Sequence, residues 1–525
     1  MIRIKELFVK SYRILIAPLK DNFFYFLILS FLVCISDTVA WISYGDPVFG
    51  LYLGLHGLIM AYGVVLIGEL IKNERWLKIY KAVFLILGYL NFIIDASVHK
   101  TCKIAFTEDV VAIVMGSNVS ESKEFISTYF SWELIALIAA GTFFIYLVYR
   151  FRKHVDVIGK KLHLFLLIII LGGALTVFVR KSENWYGVFL NKIVAFVTYD
   201  APPDLRPYQK ELNICNDVSE TPDNIVLILG ASFAKSHSSL YGYEKETNPC
   251  LSELVKDSLL FVYDNAVSPA THTIECVKSI MSTYKQEYGD SVNWYECATL
   301  PHMMHSLGYR TVWISNQSPA GQYDNVASRY AELCDTTIWV GSKVQGASKK
   351  GYDGEILKAI NFESFSGDGK NFIVFHLMGS HSKFEDRYPT EFQKYNSGDY
   401  TGLKDYQREV IANYDNSILY NDYVVFQILD RFSDEETLAL YFSDHGIDLY
   451  DSSDNYYGHA IQGNAASEEV SLSIPFMIYC SEKYQQIFPE GVATIIQDQG
   501  TLFETETILE YLIHLLGANR EPPKV

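Results

Sequence analysis

The feature that most limits how this chain can fold is a set of five long apolar runs within its first 180 residues, near 21–43, 47–71, 80–98, 130–149 and 162–180. Each approaches or exceeds the roughly 20 apolar residues that an α-helix needs to cross a bilayer. The charges between the runs alternate. Arg3, Lys5, Lys10, Arg13 and Lys20 precede the first run. Lys72, Arg75, Lys78 and Lys81 lie between the second and third, and Arg150, Arg152, Lys153, Lys160 and Lys161 between the fourth and fifth. Short basic loops stay on the cytoplasmic side, so five crossings put these segments on one side and residues 99–129 and everything after 181 on the other. Five buried core helices would not need that alternation. The first run is too long, and too closely followed by others, to be a cleaved signal peptide. The expectation is a transmembrane domain of five helices over 1–180, with its N-terminus in the cytoplasm.

The stretch "NWYGVFLNKIVAFVTY" mixes Trp185, Tyr186, Phe189 and Phe196 with polar residues, as in an amphipathic helix lying on a membrane surface. Pro202, Pro203 and Pro207 then mark a linker. Residues 181–222 are therefore expected to join two domains rather than to form one.

From 224 onward strand-like runs ("NIVLIL", "RTVWIS", "NFIVFHL", "LALYFS", "IPFMIY") alternate with helical patterns such as 296–307 and 411–432. That alternation predicts an α/β domain over 223–525, with a mostly parallel sheet and helices on both faces. With 43 Lys and Arg against 61 Asp and Glu, the net charge is −18, which argues against nucleic acid as a partner.

Ligands of such sheets sit beyond the strand C-termini, so the residues after each strand matter most. "NIVLIL" is followed by Gly230-Ala231-Ser232, "NFIVFHL" by Met378-Gly379-Ser380-His381, and "LALYFS" by Asp444-His445-Gly446, with His459 further on. A lone His at a strand end is more often structural. Asp and His together suit Zn²⁺, and the whole set in this order is far more specific than any member. A nucleophile is expected in "AVSPATHTIECVKSIMS", which offers Ser268, Thr271, Thr273 and Cys276. A threonine hydroxyl at a helix start beside a dication is acidified by both; a plain N-cap threonine is the ordinary alternative.

Together "SLYGYEKETNP", "SPATHTIECVKSIMS", "GYRTVWISNQ", "FHLMGSHSKFEDRYP", "YDNSILYNDYVV" and "YFSDHGIDLYD" resemble the bacterial phosphoethanolamine transferases. "THTIE", "HLMGSH" and "ILYNDYVV" look closer to the branch acting on lipopolysaccharide core heptose than to the lipid A branch, whose Pro-Cys-Met-Phe pattern is lacking. The resemblance implies a five-helix membrane bundle in the bacterial inner membrane and a periplasmic domain of the alkaline phosphatase/sulfatase fold. It implies transfer of phosphoethanolamine from phosphatidylethanolamine to a lipopolysaccharide acceptor. It makes Thr273 the nucleophile, joined by Asp444 and His445 on the catalytic zinc, with His381 and His459 on the phosphate or a second zinc. Ser117 and Glu121 match positions that help hold the donor head group, and Lys383 is a candidate phosphate partner.

One position departs from the pattern. The resemblance places a zinc-ligating Glu directly after the strand-end Gly230, and this chain has Ala231 there. A naturally decayed site is expected to lose more than one ligand, so a deliberate Glu→Ala change accounts better for a single loss. In either case the expected consequence is weak zinc binding and little transfer. The rival readings are a phosphoglycerol or glucan-directed transferase of the same superfamily, and a non-catalytic protein that binds lipid or a partner through a pseudo-active site. Seven of the eight cysteines fall outside the expected cytoplasmic side, where disulfides form, and Cys297 with Cys334 is the candidate pair.

Overall fold

The computed structural model describes residues 12–43, 47–101, 132–179, 202–209, 221–317, 326–340, 351–365, 369–453, 456–460 and 464–517. They form two compact units, the helices through Val179 and the chain from Pro202 onward.

In the first unit, four helices are long and apolar enough to cross a membrane: Phe23–Ser43, Pro47–Gly68, Glu74–Lys100 and Trp132–Arg150. The fifth expected span, 162–180, overlaps the helix Arg152–Val179, 28 residues long. Its first third carries Arg152, Lys153, Lys160 and Lys161, and its apolar run follows. Along their apolar runs these helices present apolar side chains both inward and outward. Phe26, Leu29, Ala61 and Ile170 are buried between them, while Leu51, Ile86, Phe143, Phe165 and Ile168 stay exposed. An apolar outer face of this kind is matched by lipid rather than water. The first two helices approach closely where Gly57 meets Cys34: a Cβ on Gly57 would come within 2.3 Å of the Cys34 Cβ. Two buried polar pairs also lie in this unit, His99 with Asp37 at 2.7 Å and Asn91 with Asp95 at 2.8 Å.

The second unit is built on twelve strands among the described residues: β1 (Asn224–Gly230), β2 (Leu260–Val262), β3 (Asn265–Val267), β4 (Arg310–Ser315), β5 (Thr336–Trp339), β6 (Asn371–His376), β7 (Thr437–Ser443), β8 (Asp448–Leu449), β9 (Tyr457–Gly458), β10 (Ser473–Ile474), β11 (Phe476–Cys480) and β12 (Leu502–Glu504). The main sheet has the order β2-β11-β7-β1-β6-β4-β5. From β7 to β5 all pairings are parallel, and β11 runs antiparallel to β7. All seven residues of β1 are buried. Ile225, Leu227 and Leu229 feed one apolar core, and Val226 and Ile228 feed another on the opposite face. The unbroken apolar run of β1 is thus the signature of a strand covered on both faces. Strands β2 and β5 lie outside the sequence-based expectation; they are three and four residues long, too short to show a period.

His376, at the end of β6, is 3 % exposed and packs edge-on against Trp313. Burial pushes its imidazole down to about 4. The folded protein therefore keeps this ring neutral, while the unfolded chain takes a proton below about pH 6.5. Its contribution to stability is complete above that pH and is lost as pH falls toward 4. The expected loss between pH 7 and 5 is about 2 kcal/mol from this group. Comparing unfolding midpoints of the chain and its His376→Gln variant at both pH values measures it; equal pH dependence in the two would contradict the assignment.

Candidate active site

Three neighbouring parallel strands end together, and their continuations converge. The register sets Gly230 level with Ser443, and Leu229 level with His376. Beyond the strands the pairing goes on: Asp444 N donates to Gly230 O (3.1 Å), Leu377 N to Leu229 O (2.9 Å) and Ser380 N to Ala231 O (3.0 Å). The loop after β6 packs onto the turn after β1 at Gly379. This residue has φ 54°, and a Cβ there would lie 2.6 Å from Ala231 N and 2.7 Å from Ala231 O. Only glycine fits, on both counts. Buried Asp353 fixes the same loop, accepting from Met378 N (2.8 Å), Gly379 N (2.9 Å) and Asn316 Nδ2 (2.8 Å). Gly379→Ala is expected to cost roughly 2–3 kcal/mol, because two backbones must separate and the residue sits in the left-handed region. A denaturant midpoint unchanged from that of the parent chain would rule this out.

Thr273 is the first residue of the helix Thr273–Ile280. Its Oγ1 donates to Asp444 Oδ2 at 2.7 Å and lies 3.3 Å from His445 Nε2. The other Asp444 oxygen, Oδ1, accepts from Ser232 N (3.2 Å) and His445 N (2.7 Å). Ser268 Oγ donates to the Asp444 carbonyl. His445 Nδ1 is 2.7 Å from Gly446 O. A carbonyl only accepts, so Nδ1 carries a proton, and Nε2 is the nitrogen turned toward Thr273. Both Asp444 and His445 are buried. A carboxylate oxygen, an imidazole nitrogen and a hydroxyl thus converge.

The remaining imidazoles stand around this trio. The His459 ring is 4.8 Å from that of His445 and stacks on His272 at 4.8 Å and 23°. His459 Nδ1 is 3.2 Å from Thr271 O, so it too is the protonated nitrogen. Burial, then the neighbouring His272, holds the pKa of His459 well below the usual histidine range. His381 is pushed down to about 4 by burial, with Arg387 and His445 acting in the same direction. Its buried Nδ1 has no hydrogen-bond partner among the described residues. Neutral imidazoles with uncommitted nitrogens are the ligand form. Arg387 braces this loop, donating from Nε to His381 O (3.1 Å) and from Nη2 to Ser382 O (2.8 Å).

The structure brings Thr273, Asp444, His445, His381 and His459 into one region, and places Ala231 beside Asp444 through the turn just described. Lys383 lies two residues beyond His381 in the left-handed region, φ 60°. Ser117 and Glu121 lie outside the described residues. Sequence reasoning missed His272, Asp353 and Arg387. His272 directly precedes Thr273, and that adjacency was its only signal. The proposed Cys297–Cys334 disulfide is not formed. Each Sγ instead faces a backbone carbonyl one turn earlier, of Asn293 and of Tyr330.

As a zinc centre the set is incomplete. Asp444 Oδ2, His445 Nε2 and Thr273 Oγ1 offer three donors to a tetrahedral ion, and position 231, where the resemblance implies a fourth ligand, carries only a methyl group. Among the described residues no group of three or more His, Cys, Asp or Glu side chains is assembled to hold a metal. Asp444 and His445 are two such side chains, and the third donor is a hydroxyl.

The sequence profile of the family described as Sulfatase matches residues 223–514, more than half of the chain. Over 432 residues the chain is 26% identical to phosphoethanolamine transferase EptC of Escherichia coli O18:K1:H7, covering 76% of this chain and 74% of that protein. The crystal structure of the C-terminal periplasmic domain of E. coli EptC in complex with Zn superposes with a TM-score of 0.52 at 27% identity, over 61% of this chain and 87% of that one. The integral membrane phosphoethanolamine transferase A of Neisseria meningitidis shares the fold over nearly the full length. Its TM-score is 0.67 at 16% identity, over 94% of this chain and 95% of that one.

Proposed function

The chain belongs to the sulfatase family, and from that premise we propose that it is a membrane-bound phosphoethanolamine transferase whose site is impaired at position 231. Phosphoethanolamine passes from phosphatidylethanolamine to a lipopolysaccharide acceptor, a core heptose or lipid A, through an adduct on Thr273. The observation that carries this reading is Thr273 Oγ1 at a helix start, 2.7 Å from Asp444 Oδ2 and 3.3 Å from His445 Nε2, beyond the ends of parallel strands.

In the first half-reaction, Thr273 Oγ1 attacks the donor phosphorus. The Oγ–P bond forms, the bond from phosphorus to the glycerol oxygen breaks, and diacylglycerol leaves with a proton. Asp444 accepts the hydrogen bond of the hydroxyl and aims it. In the second half, an acceptor O–H oxygen attacks the same phosphorus, the Oγ–P bond breaks, and the acceptor's proton returns the Thr273 hydroxyl. Two half-reactions at one site give ping-pong kinetics. Asp444, His445 and Thr273 are the residues that would hold zinc, whose chemistry is to lower the pKa of a bound oxygen and neutralise phosphoryl charge. His381 and His459, neutral and with uncommitted nitrogens, suit a second ion or the phosphate. Ser117 and Glu121 would contact the donor head group, and Lys383 the phosphate.

The helices belong in the bacterial inner membrane, with the basic loops cytoplasmic and the catalytic unit periplasmic. A cysteine at Lys78 is then shielded from impermeant thiol reagents in intact cells, and labelling there would reverse the orientation.

The adduct identifies the donor. Intact-mass analysis of the Ala231→Glu protein given phosphatidylethanolamine should show Thr273 heavier by about 123 Da; a gain of about 154 Da from a phosphoglycerol donor would instead make it a phosphoglycerol transferase. Ala231 itself favours a second reading, a lipid- or partner-binding pseudoenzyme. Absence of any adduct after Ala231→Glu would support that one.

A further inference from the structure

We propose that Tyr414 is a positioning residue that fixes the turn after β1, and with it the side chain at 231, against the Asp444–His445 pair. The inference rests on the reading of the site as a phosphoryl-transfer centre. Within the turn, Ser232 has φ 56°, a left-handed conformation that residues other than glycine seldom enter. The local chain does not favour that shape, and its buried polar groups need fixed partners. Two partners come from the end of β7. Ser232 N donates to Asp444 Oδ1 (3.2 Å), and Phe233 N to Ser443 Oγ (2.9 Å). The other two bonds meet on one phenol: Tyr414 OH accepts from Ala234 N at 2.7 Å and donates to Ser232 O at 2.8 Å.

Tyr414 is completely buried, and burial holds its hydroxyl protonated, so the donated bond persists across any working pH. Its ring is gripped edge-on by His237 (5.2 Å, 84°) and Phe384 (4.9 Å, 80°). The residue sits in the middle of the helix Asp405–Asp430. Two further residues tie that helix down. Buried Asp415 accepts from His237 Nδ1 (2.6 Å), Tyr243 OH (2.7 Å) and Tyr400 OH (2.6 Å). Ser417 Oγ lies 2.9 Å from Ser380 Oγ, in the loop that carries His381. One long helix thus sets both the turn bearing position 231 and the loop bearing His381. Side chains that orient metal ligands in this way typically affect affinity 10–100-fold.

Tyr414→Phe keeps the ring and removes both bonds. In the full-length protein in detergent, the amides of Ser232 and Ala234 should exchange with deuterium at least about tenfold faster in this variant, while those of β1 do not change. Zinc affinity, read by competition with a chromophoric chelator, should fall about tenfold or more from Ala231→Glu to Ala231→Glu/Tyr414→Phe. Unchanged exchange at 232–234 together with unchanged zinc affinity overturns the inference. The unsubstituted chain supplies a reading that needs no variant: the Ala234 amide must be protected as well as those of β1, and fast exchange there overturns the inference. If Ala231→Glu shows no transfer, the proposed function falls, and the exchange data still decide the role of Tyr414.

Discussion

Ala231→Glu is expected to raise phosphoethanolamine transfer by about three orders of magnitude, the scale of losing or regaining an activated nucleophile. As the chain stands, one carboxylate and one imidazole flank Thr273, and the turn after β1 contributes only a methyl group. On the proposed reading, an ion held by Asp444, His445 and the hydroxyl would be short of an anionic ligand, so it would bind weakly and leave the threonine proton in place. A glutamate on the same turn adds the missing charge. That turn is already anchored to the Asp444 side by Ser232 N on Asp444 Oδ1 (3.2 Å), so no rearrangement of the sheet is required. Zinc content should rise with activity when both are measured on one preparation. Ala231→Gln, of similar shape and uncharged, should recover little of either. A variant that gains zinc and still transfers nothing would show that the chemistry has been assigned to the wrong residues.

The second large effect is at Thr273. In the Ala231→Glu protein, Thr273→Ala should abolish the phosphoethanolamine adduct and lower turnover by about 10³–10⁴-fold, because among the described residues Thr273 supplies the hydroxyl on Asp444 Oδ2. Thr273→Ser retains the oxygen and should stay within roughly tenfold of the parent, the loss reflecting the freer rotation of serine about χ1. Thr271 is the control. Its hydroxyl is engaged with His272 Nδ1 at 2.9 Å, two residues before the helix begins, and Thr271→Ala should keep the adduct. An adduct that persists in Thr273→Ala, or moves to another residue, would remove Thr273 from the mechanism.

Much of this arrangement was legible before any coordinates. The spans were visible because lipid tolerates almost only apolar side chains over the length of a crossing. The strands β1, β4, β6, β7 and β11 were visible because burial on both faces leaves a continuous apolar run. The short strands β2 and β5 were not, since three or four residues carry no period and owe their place to neighbours already paired. Asp444, His445, His381 and Thr273 stood out as polar residues directly after apolar runs or at a helix start. His272, Asp353, Arg387 and Tyr414 did not. Their partners are backbone atoms or rings that local periodicity does not mark, some of them far away in the chain, as when Tyr414 reaches Ala234 across 180 positions.

By itself, then, the order of residues determined which segments suit lipid, which strands form the sheet interior, and which polar side chains follow the strand ends, since those properties depend on side-chain chemistry and local periodicity. Whether the donors meet was decided only by the tertiary structure. The parallel register brings Gly230 level with Ser443, and the close approach of Gly379 to Ala231 lets a second loop close onto the first. The disulfide expected between Cys297 and Cys334 failed for the same reason: pairing depends on where two side chains point in space, and here each is turned back toward its own backbone.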